Sequence, residues 1–335
     1  MHQELFDTVA MLCQAGNHAP QTALELLRPL APDAHIDALG SVVGSVGSGR
    51  KTILLDAHID QIGLTVTASA GGGFWHVAKV GGMDRRVLVG KPVIIYGCEE
   101  VRGVISSVPP HLATKDDAKL PDFDELLVDT GLSEAESARR IAPGDRVLID
   151  NVPLALQNDR ITAQGLDNRC SVAAILWCLQ LLKGKDLPCR VAVQFSTFEE
   201  TGGAGAATAA FAADAQEAIA VDVSFAKTPG APANVRAKLG GGPMIGVAAV
   251  LDRRISDRLQ ALAQAAQLPV QIEAMGGRTG TNAETIAVTR GGVAVGLLSI
   301  PQKNMHTGVE VVDLADVAHT GQLLAAYICA GGKEA

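Results

Sequence analysis

The chain has 335 residues, more than a single hydrophobic core usually supports, so its length favours two domains. Apolar residues make up 47% and charged residues 19%, a balance that supplies a core and excludes disorder. With 36 acidic against 28 basic side chains, a net charge of −8 and no basic cluster, nucleic acid and anionic lipid are excluded as the main partner.

The opening residues carry Glu4 and Asp7 and set Leu5, Val9 and Leu12 at helical spacing, which predicts an amphipathic helix rather than a signal peptide. No run approaches the ~18 uninterrupted apolar residues of a membrane span, and the expected compartment is the cytosol. A Gly/Ser-rich stretch, 40–49, leads into the apolar run 52–55, a buried strand whose polar end is Asp56 and His58. From 64 to 153 the texture changes to short β-rich runs, 64–68, 75–80, 92–96, 101–106, 126–128 and 146–149, separated by glycine clusters and Pro109-Pro110. These predict a small barrel or sandwich, interrupted by one helix near 133–140 with Ser133 and Glu136 spaced as a capping box.

After Pro153, strand and helix alternate. The spacing predicts helices at 168–183, 204–213, 252–267, 283–289 and 314–330, and strands at 190–198, 218–223, 244–250, 270–274 and 293–300. This alternation implies an α/β fold, a mostly parallel or mixed sheet with helices on both faces. The strand before His58 belongs with the later half, so the catalytic domain is expected to be discontinuous, 1–67 and 154–335, with a β-rich domain, 68–153, inserted. The six cysteines form no C-x-x-C pair, lie mostly in apolar contexts and are expected to be reduced and buried.

Seven residues have the types that a two-metal hydrolase site needs: His58, Asp60, Asp167, Glu199, Glu200, Asp222 and His306. Nearly all follow a predicted strand, and open α/β sheets bind ligands outside the carboxyl ends of their strands. Each residue also has a plainer reading. His58-Ile59-Asp60 could be a structural hydrogen bond, Asp167 an N-cap, Glu199 and Glu200 solvated acids, and His306 part of a loop. Asp222 inside Ile219-Ala220-Val221-Asp222-Val223 is harder to explain away, because acids are seldom buried in an apolar run without a partner. As ligands, Asp167, Glu200 and Asp222 would bring three negative charges, which repel one another unless cations are present. Two divalent ions with a bridging hydroxide would neutralise them, and a mixed N/O donor set without thiolate suits zinc, cobalt or manganese.

In order along the chain, His58-Ile59-Asp60-Gln61-Ile62-Gly63, Gly165-Leu166-Asp167-Asn168-Arg169, Phe198-Glu199-Glu200-Thr201-Gly202, Ala220-Val221-Asp222 and Met305-His306-Thr307 resemble the motifs of the dinuclear, tetrahedral-particle glutamyl/leucyl aminopeptidases. Val108-Pro109-Pro110-His111-Leu112 and 123–132 resemble that family's insert. The resemblance implies a zinc-aminopeptidase-like fold and an aminopeptidase acting on short peptides with two divalent metal ions, zinc or cobalt foremost. It implies that Asp167 bridges both ions, that His58 and Asp222 complete one site, and that Glu200 and His306 complete the other. It further implies that Asp60 orients His58 and that Glu199 is the general base. A homo-oligomer, dimer or dodecamer, is expected, with the insert serving assembly and substrate access.

This chain departs from the family pattern at Ser171 for glycine, Asn282 for aspartate and Lys303-Asn304 for Arg-Tyr, none of them a proposed ligand. A related dinuclear amidohydrolase, deacetylase or carboxypeptidase, is the alternative enzyme, and a non-enzymatic scaffold the alternative outside catalysis. Gly44 to Thr52 nearly spells a phosphate-binding loop, but it precedes a strand instead of following one. No Gly-x-Ser-x-Gly elbow supports a serine hydrolase.

Overall fold

A computed structural model describes residues 2–107, 111 and 120–332. The Val108-Pro109-Pro110-His111-Leu112 motif lies outside the described residues except for His111. The chain forms two compact units, one of Met1–Asp60, Pro153–Met305 and Val309–Ala335, the other of Gln61–Val152 with His306–Gly308.

The first unit is built on an eight-stranded mixed sheet. Its strands run in the spatial order His35–Ile36, Val42–Val46, Arg190–Ser196, Thr52–His58, Glu217–Phe225, Ala294–Gln302, Met244–Ala248 and Gln271–Met275. The four central strands are parallel, and antiparallel pairing brings in Val42–Val46 on one side and Met244–Ala248 on the other. Residues on both faces of Thr52–His58 are buried, which is why that segment reads as a continuous apolar run and not as an alternation.

Helices His2–Gln14, Leu166–Leu182 and Leu314–Cys329 cover one face, where Ile53, Leu55, Ile219 and Val221 meet Val172, Ile175 and Leu323. Ala204–Ala213 and Asn282–Ala287 cover the other, against Leu54, Ala192, Ala218 and Ala220. Each fully buried Leu or Ile contributes about 1.5–3 kcal/mol. Leu166–Leu182 is buried nearly all round because it lies between the sheet, the first helix and the last, which explains an apolar pattern wider than one stripe.

The second unit is a closed barrel of six strands, Gly63–Gly71, Phe74–Val80, Leu127–Asp129, Glu100–Ile105, Pro92–Tyr96 and Arg146–Ile149. Alternate residues fill it, among them Leu64, Val66, Trp75, Val77, Val93, Ile95 and Val147. The helix Glu134–Arg140 starts with the expected capping box, Ser133 Oγ accepting from the Glu136 amide and Glu136 Oε2 from the Ser133 amide. All six cysteines are free, but Cys98 and Cys329 are exposed, against the expectation that all are buried. Cys329 ends the last helix on its solvent side and Cys98 lies in a turn, positions where an apolar neighbour in sequence does not imply burial. Among the described residues no helix is long and apolar enough to cross a membrane.

Candidate metal centre

Thr52–His58 extends three residues beyond its apolar run, and its last turn-ward side chains are buried: Asp56 is 1% and His58 2% exposed. Polar partners make that burial tolerable. Asp56 Oδ1 accepts from Gln194 Nε2 at 2.8 Å and Ser196 Oγ at 2.7 Å, and its Oδ2 accepts from Asn282 Nδ2 at 3.1 Å. Burial pushes this carboxyl above its ordinary range although all three donors oppose the shift. The network was not read from the sequence. Parity was the available signal: Asp56 lies two residues before His58, on the same face.

Asp167 follows Gly165, whose φ of 77° turns the chain into the helix Leu166–Leu182. Asp167 and Asn168 are themselves non-helical and the bond between them is cis; the N-cap position falls to Gly165, and no side-chain cap bond is made there. The Asp167 amide donates to Glu310 Oε2 at 3.2 Å, and its neighbours anchor the segment. Asn168 Nδ2 donates to the Val221 carbonyl at 2.7 Å, and Ser171 Oγ donates to the Asp222 carbonyl at 3.2 Å. Thus the serine that replaces the family's glycine tethers the main chain of a candidate ligand. Arg169, 2% exposed, donates to the carbonyls of Leu12, Cys13 and Gly16 and so satisfies the C-terminal end of the first helix.

Glu199 and Glu200 sit on a 3-10 turn, Glu199–Thr201, between Phe198 with φ 63° and Gly202 with φ 130°. Both Asp60 carboxylate oxygens hold this turn: Oδ1 accepts from the Glu199 amide at 3.2 Å and Oδ2 from the Glu200 amide at 3.3 Å. The His58 ring presents Nδ1 to Asp60, 3.2 Å from its main-chain oxygen and 3.5 Å from Oδ1. The backbone oxygen is therefore the closer partner and the carboxylate's main hydrogen bonds go to the glutamate turn, which sequence reasoning missed.

On the other side of the ring, Nε2 lies 3.1 Å from Asp167 Oδ1, 3.7 Å from Asp222 Oδ1 and 3.9 Å from Glu199 Oε2. Metal bonds of about 2.1 Å in tetrahedral geometry put ligand atoms roughly 3.4 Å apart. The first two separations bracket that value. Within the first unit two groups of side chains offer ligand atoms within 4.8 Å of one another, His58, Asp167 and Asp222, and His58, Glu199 and Glu200, while His306 belongs to the second unit.

The electrostatics fit a cation. Burial alone would depress the His58 pKa, but hydrogen bonding with Asp167 and Asp60, helped by Asp222 and Glu199, drives it well above its ordinary value. Burial raises Asp222 strongly, His58 opposes that, and Asp167 and Glu199 add to it. Glu199 is raised for the same reasons. Carboxylates so placed repel one another unless positive charge stands among them.

The profile of the M42 glutamyl aminopeptidase family matches residues 33–323. Over 310 residues the chain is 30% identical to the lysyl aminopeptidase of Pyrococcus furiosus, covering 91% of this chain and 89% of the relative. In three dimensions it resembles an aminopeptidase from the archaeon Desulfurococcus kamchatkensis with a TM-score of 0.91 at 29% identity, over 98% of this chain and 95% of that one. It also resembles the TET1 peptidase of Pyrococcus horikoshii, described as able to assemble into a tetrahedron or a large octahedral shell, with a TM-score of 0.85 at 27% identity over 98% and 99%.

Proposed function

The chain belongs to the M42 glutamyl aminopeptidase family and is a peptidase, and from that premise we propose that it is a dinuclear metallo-aminopeptidase releasing N-terminal residues from short peptides in the cytosol. The observation that carries this reading is the gathering of His58, Asp167 and Asp222 as one ligand group; in the reading Asp167 is shared with a second group that Glu200 and His306 complete. Those groups have no other member in common, so both can be filled together. The grouping of His58, Glu199 and Glu200 reuses one ligand from each and cannot be filled beside them. That leaves Glu199 as the acid not consumed by ligation.

When bound, two divalent cations, zinc or cobalt foremost, supply Lewis acidity to a water and a scissile carbonyl and a seat for the substrate's free α-amine. Glu199 is the general base. Its side chain is 17% exposed, against 2% for His58 and 9% for Asp222, so it faces the space a substrate enters. Its raised pKa suits an acid that takes a proton from the attacking water and returns it to the leaving amine. Asp60 holds the Glu199–Glu200 turn and steadies the His58 ring. The barrel unit serves assembly and substrate access, and the subunits build a homo-oligomer, dimer or dodecamer.

The test is removal of metal followed by assay on aminoacyl anilides. Chelation abolishes cleavage, added zinc or cobalt restores it, and Glu199→Gln keeps both ions while kcat falls roughly 10²- to 10⁴-fold. Full activity in metal-free protein overturns the metal reading. Loss of metal from Glu199→Gln overturns the division of labour between the two glutamates, and cleavage of N-acetylated peptides overturns the exopeptidase assignment.

A further inference from the structure

Resting on the aminopeptidase reading, we infer that Glu273 selects the substrate's N-terminal side chain, favouring the cationic ones, lysine and arginine. The sheet register carries the argument. Asp222 is paired in register with Ser299 on the adjacent parallel strand, so the two side chains are neighbours on one face of the sheet, and Ser224 follows on that face two residues on. Glu273 comes from Gln271–Met275 at the sheet's edge, where its register partner is Gly246. From there the glutamate arm reaches past the intervening strand Met244–Ala248. It ends on Ser299 Oγ, which donates to Oε2 at 2.9 Å, and on Ser224 Oγ, which donates to Oε1. The carboxylate therefore lies beside the strand positions that flank Asp222 and does not extend into solvent off the edge.

Its charge is unanswered. Among the described residues the two serine hydroxyls are its polar partners, and no lysine, arginine or histidine pairs with it. A half-buried carboxylate held by two neutral donors retains acceptor capacity on both oxygens. The group best suited to it is a cation brought by the substrate. The first side chain of a peptide leaves the Cα next to the attacked carbonyl, so its pocket must adjoin the metal rim, and a lysine or arginine stem is long enough to lay its charged end against an acid one strand away. A like-charged glutamyl or aspartyl side chain would be repelled there.

The test compares lysyl, arginyl, leucyl and glutamyl anilides on the metal-loaded enzyme and on Glu273→Gln, a variant that keeps a partner for each serine but loses the charge. The wild type should prefer the basic substrates, and in Glu273→Gln the lysyl-to-leucyl ratio of kcat/KM should fall about 10- to 100-fold, with the change in KM for the lysyl substrate. Glu273→Asp should retain part of the preference. Calorimetry with L-lysine and L-norleucine, which differ in the terminal ammonium, reads the same contact without turnover: lysine should bind more tightly to the wild type only. A lysyl-to-leucyl ratio unmoved in Glu273→Gln, or a wild type that prefers glutamyl substrate, overturns the assignment. If no aminoacyl anilide is cleaved the aminopeptidase reading fails, while Glu273-dependent lysine binding would still support this acid's role.

Discussion

At Asp60, one carboxylate accepts from the amides of Glu199 and Glu200 and the same residue's main-chain oxygen steadies the His58 ring, so three candidate site residues take their positions from it. Removing such a support typically costs 10- to 100-fold in metal affinity or activity. Asp60→Ala leaves two amides without their acceptor in a half-buried turn, and it is expected to lower kcat/KM by about that factor with the circular dichroism spectrum unchanged. Metal content measured beside activity separates the two effects, because a turn that has shifted Glu200 also loses an ion. Unchanged activity would show that Glu199 and Glu200 hold their places without it. The residue types themselves were legible, because imidazole and carboxylate at the ends of apolar runs admit few explanations together. The supports were not. Gln194, Ser196 and Asn282 are ordinary polar residues in sequence, and only the register that sets Gln194 against Asp56 and Ser196 against His58 turns them into a buried network.

Among the elements, the closing helix Leu314–Cys329 shows how a helix start can anchor a distant loop. Asp313 caps it, and Asp316 in its first turn accepts from the amides of Gly240 and Gly242 at 2.8 and 2.7 Å. Asp316 is fully buried, and burial pushes its carboxyl up to about 6 from 3.8 although both amides and Arg160 oppose the shift. Its folded pKa lies above its unfolded one, so the folded state holds the extra proton between pH 3.8 and about 6. Stability from this group therefore falls as pH rises through that window and is level above it, a change on the order of 3 kcal/mol. Urea unfolding of the wild type and Asp316→Asn at pH 4 and pH 7 should show the difference between them moving by a few kcal/mol in the variant's favour as pH rises. A difference constant with pH would mean that Asp316 stays ionised throughout. The helix itself was legible from periodicity, as were the strands on either side of the site, because apolar runs buried on both faces are hard to mistake. Boundaries shifted where polar partners extended or ended an element, as when Thr52–His58 ran on through Asp56 or when Arg190–Ser196 stopped short of Phe198. The loop that Asp316 anchors left no local trace, since the contact joins residues 76 positions apart in the chain.

For the molecule as a whole, the proposed assembly requires apolar surface that one chain leaves uncovered. Val288 is 79% exposed and Val250 41%, and both line one shallow hollow on the first unit together with Ala287, bordered by Arg278 and Glu284. Large apolar side chains gathered on a rim of opposite charges are the usual composition of a contact between protein copies. A second copy of this chain is the partner that the proposed homo-oligomer requires. Val288→Glu places a charge at the centre of that hollow and, because the side chain faces solvent, leaves the core untouched. Light scattering should find the wild type as a multiple of the 34.6 kDa chain mass, dimer or dodecamer, and the variant in smaller species, with aminoacyl-anilide cleavage retained. If size is unchanged in Val288→Glu, this hollow is not a contact. A wild type that scatters as a single chain would instead remove the homo-oligomer, and with it the proposed part of the barrel in assembly.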